Sequence, residues 1–401
     1  MNKLPMGPIP ESLRGSEPNS FAHHTITVRF PRIIKQVLQE NSLPIEETKS
    51  LEELLAEIPN APLRPLLDQH APDFKAWSEY LTPYAGQNWL QTPWFLCETY
   101  FFRRIIESIR YYDKDPGQRL DPYHMQKSDS LAETLANLEA PVLERTPQTD
   151  DNISNALRDA LIQGVWGNQT DLSMWPTGSN QGPAQEEGRD ASRLLVNEAD
   201  LIIDHLLQTR QPRIDLLLDN VAAELSRDLL LADLVISSPL DATVHLHVKP
   251  YPTYVSDATS QDVRITITAL TQVKQRALHA VGQRLAEALQ EDRLFLHENY
   301  FWTSPLSGWQ MPAVLYNELA NSHLIINKGD ANYRRLLGDR HWPFTMPFAE
   351  ITRYRPAPIA ALRVMKSEVA CGLKPSQPER LYQTDPDWLI DGRWGVIQFA
   401  H

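Results

Sequence analysis

The chain has 401 residues, 42% of them hydrophobic, and sets 38 Lys and Arg against 51 Asp and Glu for a formal net charge of −13. That length exceeds one ordinary core, so two domains, or one large domain with a cap, are expected. The acidic balance excludes a surface built to attract nucleic acid or an anionic membrane, so any bound phosphate must meet a local cluster of positive charge or a metal.

Met1 to Gly15 holds three prolines and no apolar run, and so does not read as a secretory signal. Helical spacing follows at Ile33, Ile34, Val37 and Leu38, and again at Leu51, Leu54 and Leu55. Trp94 to Tyr111 is densely aromatic and carries Arg103 and Arg104. It reads as a helical core in preference to a ligand-stacking box. Cys97, among Trp94, Phe95 and Tyr100, reads as a small buried hydrophobe. Cys371 is the only other cysteine, so no zinc pattern exists, and a reduced, cytoplasmic compartment is expected. Asp150 to Leu161 predicts a helix, Pro176 to Ser192 an exposed loop and Asn197 to Thr209 a further helix. No apolar run approaches a membrane span, and no membrane partner is expected.

After Pro212 strands and helices alternate. Ile214–Leu218 predicts a strand, Val221–Leu234 a helix and Thr243–Val248 a strand. One long amphipathic helix is expected from Leu270 to Leu289, a brief strand at Leu294–Leu296 and a helix at Ala313–Ala320. Leu324–Ile326 predicts a buried strand, a helix follows Gly329, and Ile359–Leu362 reads as the last strand. Strands separated by helices imply right-handed crossovers and a largely parallel sheet. The expected fold is α/β: residues 1–210 form an all-helical N-terminal domain, and residues 211–401 a three-layer α/β/α, Rossmann-like domain carrying the site.

Four segments end strand-like runs in polar residues: LLLDNVAAE (Leu216 to Glu224), YVSD (Tyr254 to Asp257), LIINKGDANYRRL (Leu324 to Leu336) and LRVMK (Leu362 to Lys366). Ligands of α/β sheets bind outside the carboxyl ends of the strands. Asp219 and Asn220 read either as a helix cap or as metal ligands, and Ala222 and Ala223 stand where a capping box would need Glu. Glu224, one turn in, either faces the same pocket or favours the helix N-terminus by its charge. Asp257 alone is an ordinary loop aspartate. With Asp219 and Asn220 it completes two carboxylates and an amide, a hard oxygen set suited to Mg²⁺ or Mn²⁺ rather than zinc. His245 and His247 alternate onto one strand face without a third ligand. Gly329 permits a tight turn with exposed amides, the next helix offers its N-terminus to an anion, and Lys328 offers a point charge. Lys366 is a second phosphate candidate, with Arg363 nearby.

Several chemistries lack their motifs. There is no GxxxxGK[ST] loop, no GxGxxG after a strand and no GxSxG elbow. Val221 stands where a haloacid-dehalogenase-type phosphatase would carry its second Asp.

Ordered blocks along nearly the whole chain resemble the metal-dependent damage-control phosphatases, within their acidic-residue methyltransferase-1-like subgroup. Besides the four strand ends they include GSEPNSFAHHTITVRFPRII (Gly15 to Ile34), TPWFLCETYFFRRI (Thr92 to Ile105), WGNQTDLS (Trp166 to Ser173) and NKGDANYRRLLGDR (Asn327 to Arg340). The resemblance implies metal ligation by Asp219, Asn220 and Asp257, with Asp219 and Asp257 catalytic. It implies a substrate-phosphate loop over Lys328, Gly329, Asp330, Ala331 and Asn332, joined by Lys366 and by Glu224 in the pocket. Asn168 and Asp171 are placed on the pocket wall. The chain departs from the family pattern at Val364, where Thr is usual, and in Val-Ala-Ala after Asn220, where a Gly is common. The implied activity is hydrolysis of small phosphorylated metabolites such as fructose 1-phosphate or fructose 6-phosphate, with Mn²⁺, Mg²⁺, Co²⁺ or Ni²⁺. Two alternatives accompany it: methylation of protein carboxylates with S-adenosylmethionine, for which no glycine-rich loop is present, and sugar-phosphate binding without catalysis.

Overall fold

A computed structural model describes residues 4–138, 150–167 and 191–401. The described strands form one seven-stranded sheet: β1 (Leu194–Asn197), β2 (Arg213–Leu217), β3 (Thr243–Val248), β4 (Leu294–Glu298), β5 (Leu324–Lys328), β6 (Ile359–Val364) and β7 (Gly395–Ala400). Their order is β1-β7-β6-β5-β2-β3-β4. From β6 to β4 every pairing is parallel. β7 runs antiparallel to β6, and β1 pairs parallel with β7.

β5 and β6 are buried at every residue, as strands covered on both faces must be. Side chains alternate between the faces. Leu217, Ile325, Ile359 and Ala361 join one apolar cluster with Ile34, Trp77, Phe101 and Ile105 of the N-terminal helices. Leu216, Leu218, Ile326, Ala360 and Leu362 join a second cluster with Leu157, Leu161, Leu229 and Val235. The N-terminal helices are therefore one layer of the same sandwich, packed continuously onto the sheet.

The structure corrects the expected elements in three places. The single helix over Leu270–Leu289 is two helices, Ser260–Leu270 and Arg276–Gln290. They pack back on each other so closely that a Cβ on Gly282 would lie 2.6 Å from the Thr271 amide nitrogen. The last strand is β7, not β6. β1 lies before residue 210, so the edge of the sheet does not coincide with the expected domain boundary. β1 is only four residues long and β7 opens on a glycine, and both features weaken a strand signal.

Candidate active site

β3 lies on one side of β2 and β5 on the other, so the strand order reverses at the β2/β5 junction. The crevice outside the carboxyl ends of strands at such a reversal is where open α/β sheets bind ligands. Asp219 and Asn220 leave β2 there, and Gly329 and Asp330 leave β5. A cleft opens at this point, lined by Asp219, Asn220, Asp257, Asp330, Ala331 and Lys366 together with Phe21, Arg29, Trp94, Glu98, Tyr254 and Arg334.

Backbone bonds bring the oxygen donors together. Val221 donates to Ser256 O at 2.7 Å and Ala258 to Asp219 O at 2.8 Å, pairing Asn220 with Asp257 in an antiparallel bridge. Reaching this register bends the chain sharply. Tyr254 and Val255 have φ of 51° and 67°, and Ala222 a φ of 56°. Left-handed backbone is costly for a β-branched residue, and strain of this kind persists only where the surroundings enforce it. Here the Tyr254 ring stacks on Phe102 with centroids 4.8 Å apart. Ala222 occupies a conformation in which Gly would be unstrained.

Two buried lysines hold Asp257. Lys249 Nζ lies 3.0 Å from its Oδ2 and donates to Leu218 O at 3.0 Å. Lys127, from the N-terminal layer, donates to the Asp257 carbonyl at 3.0 Å and pairs with Asp121 and Asp262. Burial opposes the Lys127 charge, but the two aspartates outweigh it and raise its pKa. Asn220 is fixed by a Ser256 hydroxyl donating to its Oδ1 at 2.5 Å and by its own Nδ2 donating to Glu224 Oε2 at 2.9 Å and Asp219 Oδ2 at 3.1 Å.

The structure separates the other expected residues into two groups. Lys328 and Glu224 are fully buried behind the cleft and do not line it. Lys328 Nζ donates to Gly164 O at 2.6 Å and pairs with Asp228 at 2.8 Å and Glu224 at 3.3 Å. Burial, reinforced by the Glu224 charge, pushes the Asp228 carboxyl up to about 7 against the pull of Lys328. Asn332 also works from behind, its Nδ2 donating to the carbonyls of Leu217, Leu218 and Lys328, which ties the ends of β2 and β5. Asp330, Ala331 and Lys366 do reach the cleft. Asp330 Oδ1 accepts from Arg363 Nε at 2.7 Å and from Ser367 Oγ at 2.9 Å, and Arg363 lies 4.5 Å over the Tyr333 ring. Val364 is buried in the second apolar cluster, where a methyl-bearing side chain suits its surroundings. Asn168 and Asp171 lie outside the described residues.

Charged residues that had not been singled out complete the wall. Arg334 stands 3.6 Å over the Trp94 ring, donates to Glu98 Oε2 at 2.5 Å and pairs with Asp339 at 2.8 Å. Burial raises the Glu98 pKa, opposed by Arg334. Arg29 closes a π-turn over Thr25–Arg29, a distortion that recurs at functional sites. A buried Glu inside WFLCETYFF and an Arg four residues after Asp330 were the available signals.

His247 instead bonds Asp215 at 2.8 Å and His245 bonds His297 at 2.8 Å, both away from the cleft. Among the described residues no three His, Cys, Asp or Glu side chains group as a metal shell, and the expected set contains only two such side chains, Asp219 and Asp257, plus an amide. No described helix is long and apolar enough to cross a membrane.

Residues 25–381 match the family described as the damage-control phosphatase ARMT1-like domain. The chain is 31% identical over 440 residues to damage-control phosphatase ARMT1 of Xenopus laevis, covering 98% of this chain and 99% of the relative. The Homo sapiens protein of the same name is 30% identical over 445 residues, again covering 98% and 99%. A crystal structure of a DUF89 family protein from Pyrococcus horikoshii superposes with a TM-score of 0.48 at 14% identity, over 87% of this chain and 91% of that one. Matched over residues 25–381 by the family model and over 98% of its length by relatives 30–31% identical, the chain belongs to the damage-control phosphatase ARMT1-like family.

Proposed function

We propose that the chain hydrolyses small phosphate monoesters, sugar phosphates such as fructose 1-phosphate or fructose 6-phosphate, in a cytoplasmic setting and with a divalent cation. The observation that carries this reading is the meeting of Asp219, Asn220 and Asp257 with Asp330, Lys366 and Arg334 in one cleft at the strand reversal. Two carboxylates and an amide fit a hard cation, Mg²⁺, Mn²⁺, Co²⁺ or Ni²⁺. Gly329 leaves the Asp219 carboxylate the space a β-carbon would fill. Asp219, Asn220 and Asp257 would hold the ion, which when bound supplies Lewis-acid polarisation of the phosphoryl oxygens.

The chain's own residues do the rest. Asp219 and Asp257 are the catalytic carboxylates. Lys249 and Lys127 keep Asp257 in one place, and the Ser256–Asn220–Glu224 bonds do so for the amide. Lys366 and Arg334 oppose negative charge on the phosphoryl oxygens, and the helix Asp330–Leu337 presents its first turn to the same group. Arg29, Trp94 and Glu98 form the wall that meets the sugar. The test is phosphate release from a panel of sugar phosphates with Mn²⁺ and with EDTA. Turnover that EDTA abolishes, and that Asp257→Ala lowers at least about a hundredfold, is expected. Release that persists in EDTA, or tight binding without release, would overturn the reading.

A further inference from the structure

A second hollow lies on the sheet face presented by Leu217, Ile325 and Ile359. Its walls are apolar, with Trp302, Leu319, Met311 and Tyr354 closing it from the helical layer. Four polar side chains break that lining, Asn327, Asn332, Arg335 and Arg355, and of these Arg335 and Asn327 are buried at 4% and 2% exposure. The guanidinium of Arg335 donates to Ser304 O and Leu306 O at 2.8 Å, to Trp302 O at 3.0 Å and to the Ser304 hydroxyl at 3.4 Å, all of them neutral acceptors. Phe95 and Phe301 flank it at 5.0 and 5.1 Å.

Arg335 differs from four other buried arginines. Arg103, Arg104, Arg334 and Arg363 each pair with a carboxylate, whereas no described carboxylate reaches ion-pairing distance of Arg335. Its Nε has no hydrogen-bond partner among the described residues, nor has Nδ2 of Asn327. Buried charges are ordinarily paired and buried donors ordinarily bonded. Burial alone lowers the Arg335 pKa to about 10, as an uncompensated cation requires. A cation without a counter-ion and an amide donor without an acceptor thus share one apolar pocket.

We infer that this pocket is a second ligand site that takes a small organic anion with an apolar body, its carboxylate meeting Arg335 and Asn327. The aromatic and aliphatic walls receive the body, and the planar guanidinium suits a carboxylate. The site is separate from the cleft bearing Asp219, and occupancy does not depend on catalysis there.

Isothermal titration of the full chain with sodium benzoate, and with benzamide as the uncharged isostere, tests the assignment. Benzoate should bind saturably at one site, and benzamide about tenfold more weakly or worse. Met311→Trp, which fills the rim, should weaken benzoate by about tenfold or more without lowering the thermal midpoint. Arg335→Gln, if it folds, should bind both probes alike. Saturating inorganic phosphate should leave benzoate binding unchanged. The assignment fails if millimolar benzoate gives no saturable binding, if benzamide binds equally well, if Met311→Trp binds like the parent chain, or if phosphate displaces benzoate. These are binding readouts, so they stand whether or not sugar phosphates prove to be substrates.

Discussion

A β-carbon on Gly329 would lie 1.8 Å from Oδ2 of Asp219. The glycine thus does more than let β5 turn into the following helix. Its missing side chain is the space in which the first candidate metal ligand sits, and its φ of 78° and ψ of 179° fall where only glycine is comfortable. Gly329→Ala should keep the fold, at a cost of about 1–3 kcal/mol from backbone strain. It should lower phosphate release at least about a hundredfold, because displacing a reacting group by an ångström has that scale of effect. A thermal melt and a phosphate assay on one preparation check both halves. Activity within twofold of the parent chain would show that the placement of Asp219 is not limiting.

Lys328 and Lys366 both end strands, yet they should fail differently when shortened. Lys328 is enclosed with Asp228 and Glu224, so Lys328→Met leaves two carboxylates buried without their cation. Breaking a buried pair by removing one partner costs about 3–5 kcal/mol. Lys366 lines the cleft, so Lys366→Met should leave the denaturation midpoint near that of the parent while kcat/KM falls by about a hundredfold or more. Urea denaturation beside steady-state kinetics separates the two. Equal losses of stability, or an Lys366→Met enzyme of normal kcat/KM, would contradict the assignment.

The strand ends that carry Asp219, Asn220, Asp330 and Lys366 were legible because each follows an apolar run, and a parallel sheet delivers such ends to one edge. Tyr254 to Asp257 is not the strand end expected but a loop beyond β3, brought to that edge by the bridge from Asp257 to Asn220. Lys328 was expected in the phosphate loop and lies instead behind the cleft, on the side that period-two alternation gives it. Lys328 shares a face with Leu324 and Ile326, toward Asp228, while Asn327 shares the other with Ile325. Arg334 and Glu98 could not be paired in advance. They sit 236 residues apart, and only the packing of the N-terminal layer onto the sheet joins them. β1 and β7 were obscured for a different reason. They are held at the sheet edge by pairing with each other and with β6, a tertiary relation that local propensity does not contain.

The histidines of β3 and β4 should make the fold acid-sensitive. Burial lowers the His245 pKa to about 4; Asp215 opposes that fall, while Arg213, His297 and His247 add to it. A lowered imidazole pKa means that the folded chain favours the neutral form. Its contribution is therefore present above the ordinary value of 6.5 and lost as pH falls from there toward 4. The ring stacks on Phe295 with centroids 4.5 Å apart, so His245→Phe keeps an aromatic in place and removes the titration. Thermal midpoints measured from about pH 7 to about pH 4 should fall more steeply in the parent chain than in the variant. Parallel curves would show that His245 charges without cost.

Asp228 should act with the opposite sign. Burial first, and then the Glu224 charge, push its carboxyl up to about 7 from 3.8, although Lys328 pulls it down. A raised carboxyl pKa means that the folded chain retains a proton the unfolded chain has released. The stabilisation is complete below 3.8 and is lost as pH rises through about 7. While only the folded state holds the proton, the decline is about 1.4 kcal/mol per pH unit. Asp228→Asn substitutes a side chain that does not titrate. The difference in unfolding free energy, parent minus variant, should fall as pH rises from about 5 to about 7 and level off near pH 8. Urea denaturation of both chains at each pH gives that difference directly, with titrations common to both cancelling. A difference that stays flat would mean that Asp228 is ionised throughout and that Lys328 overcomes its burial.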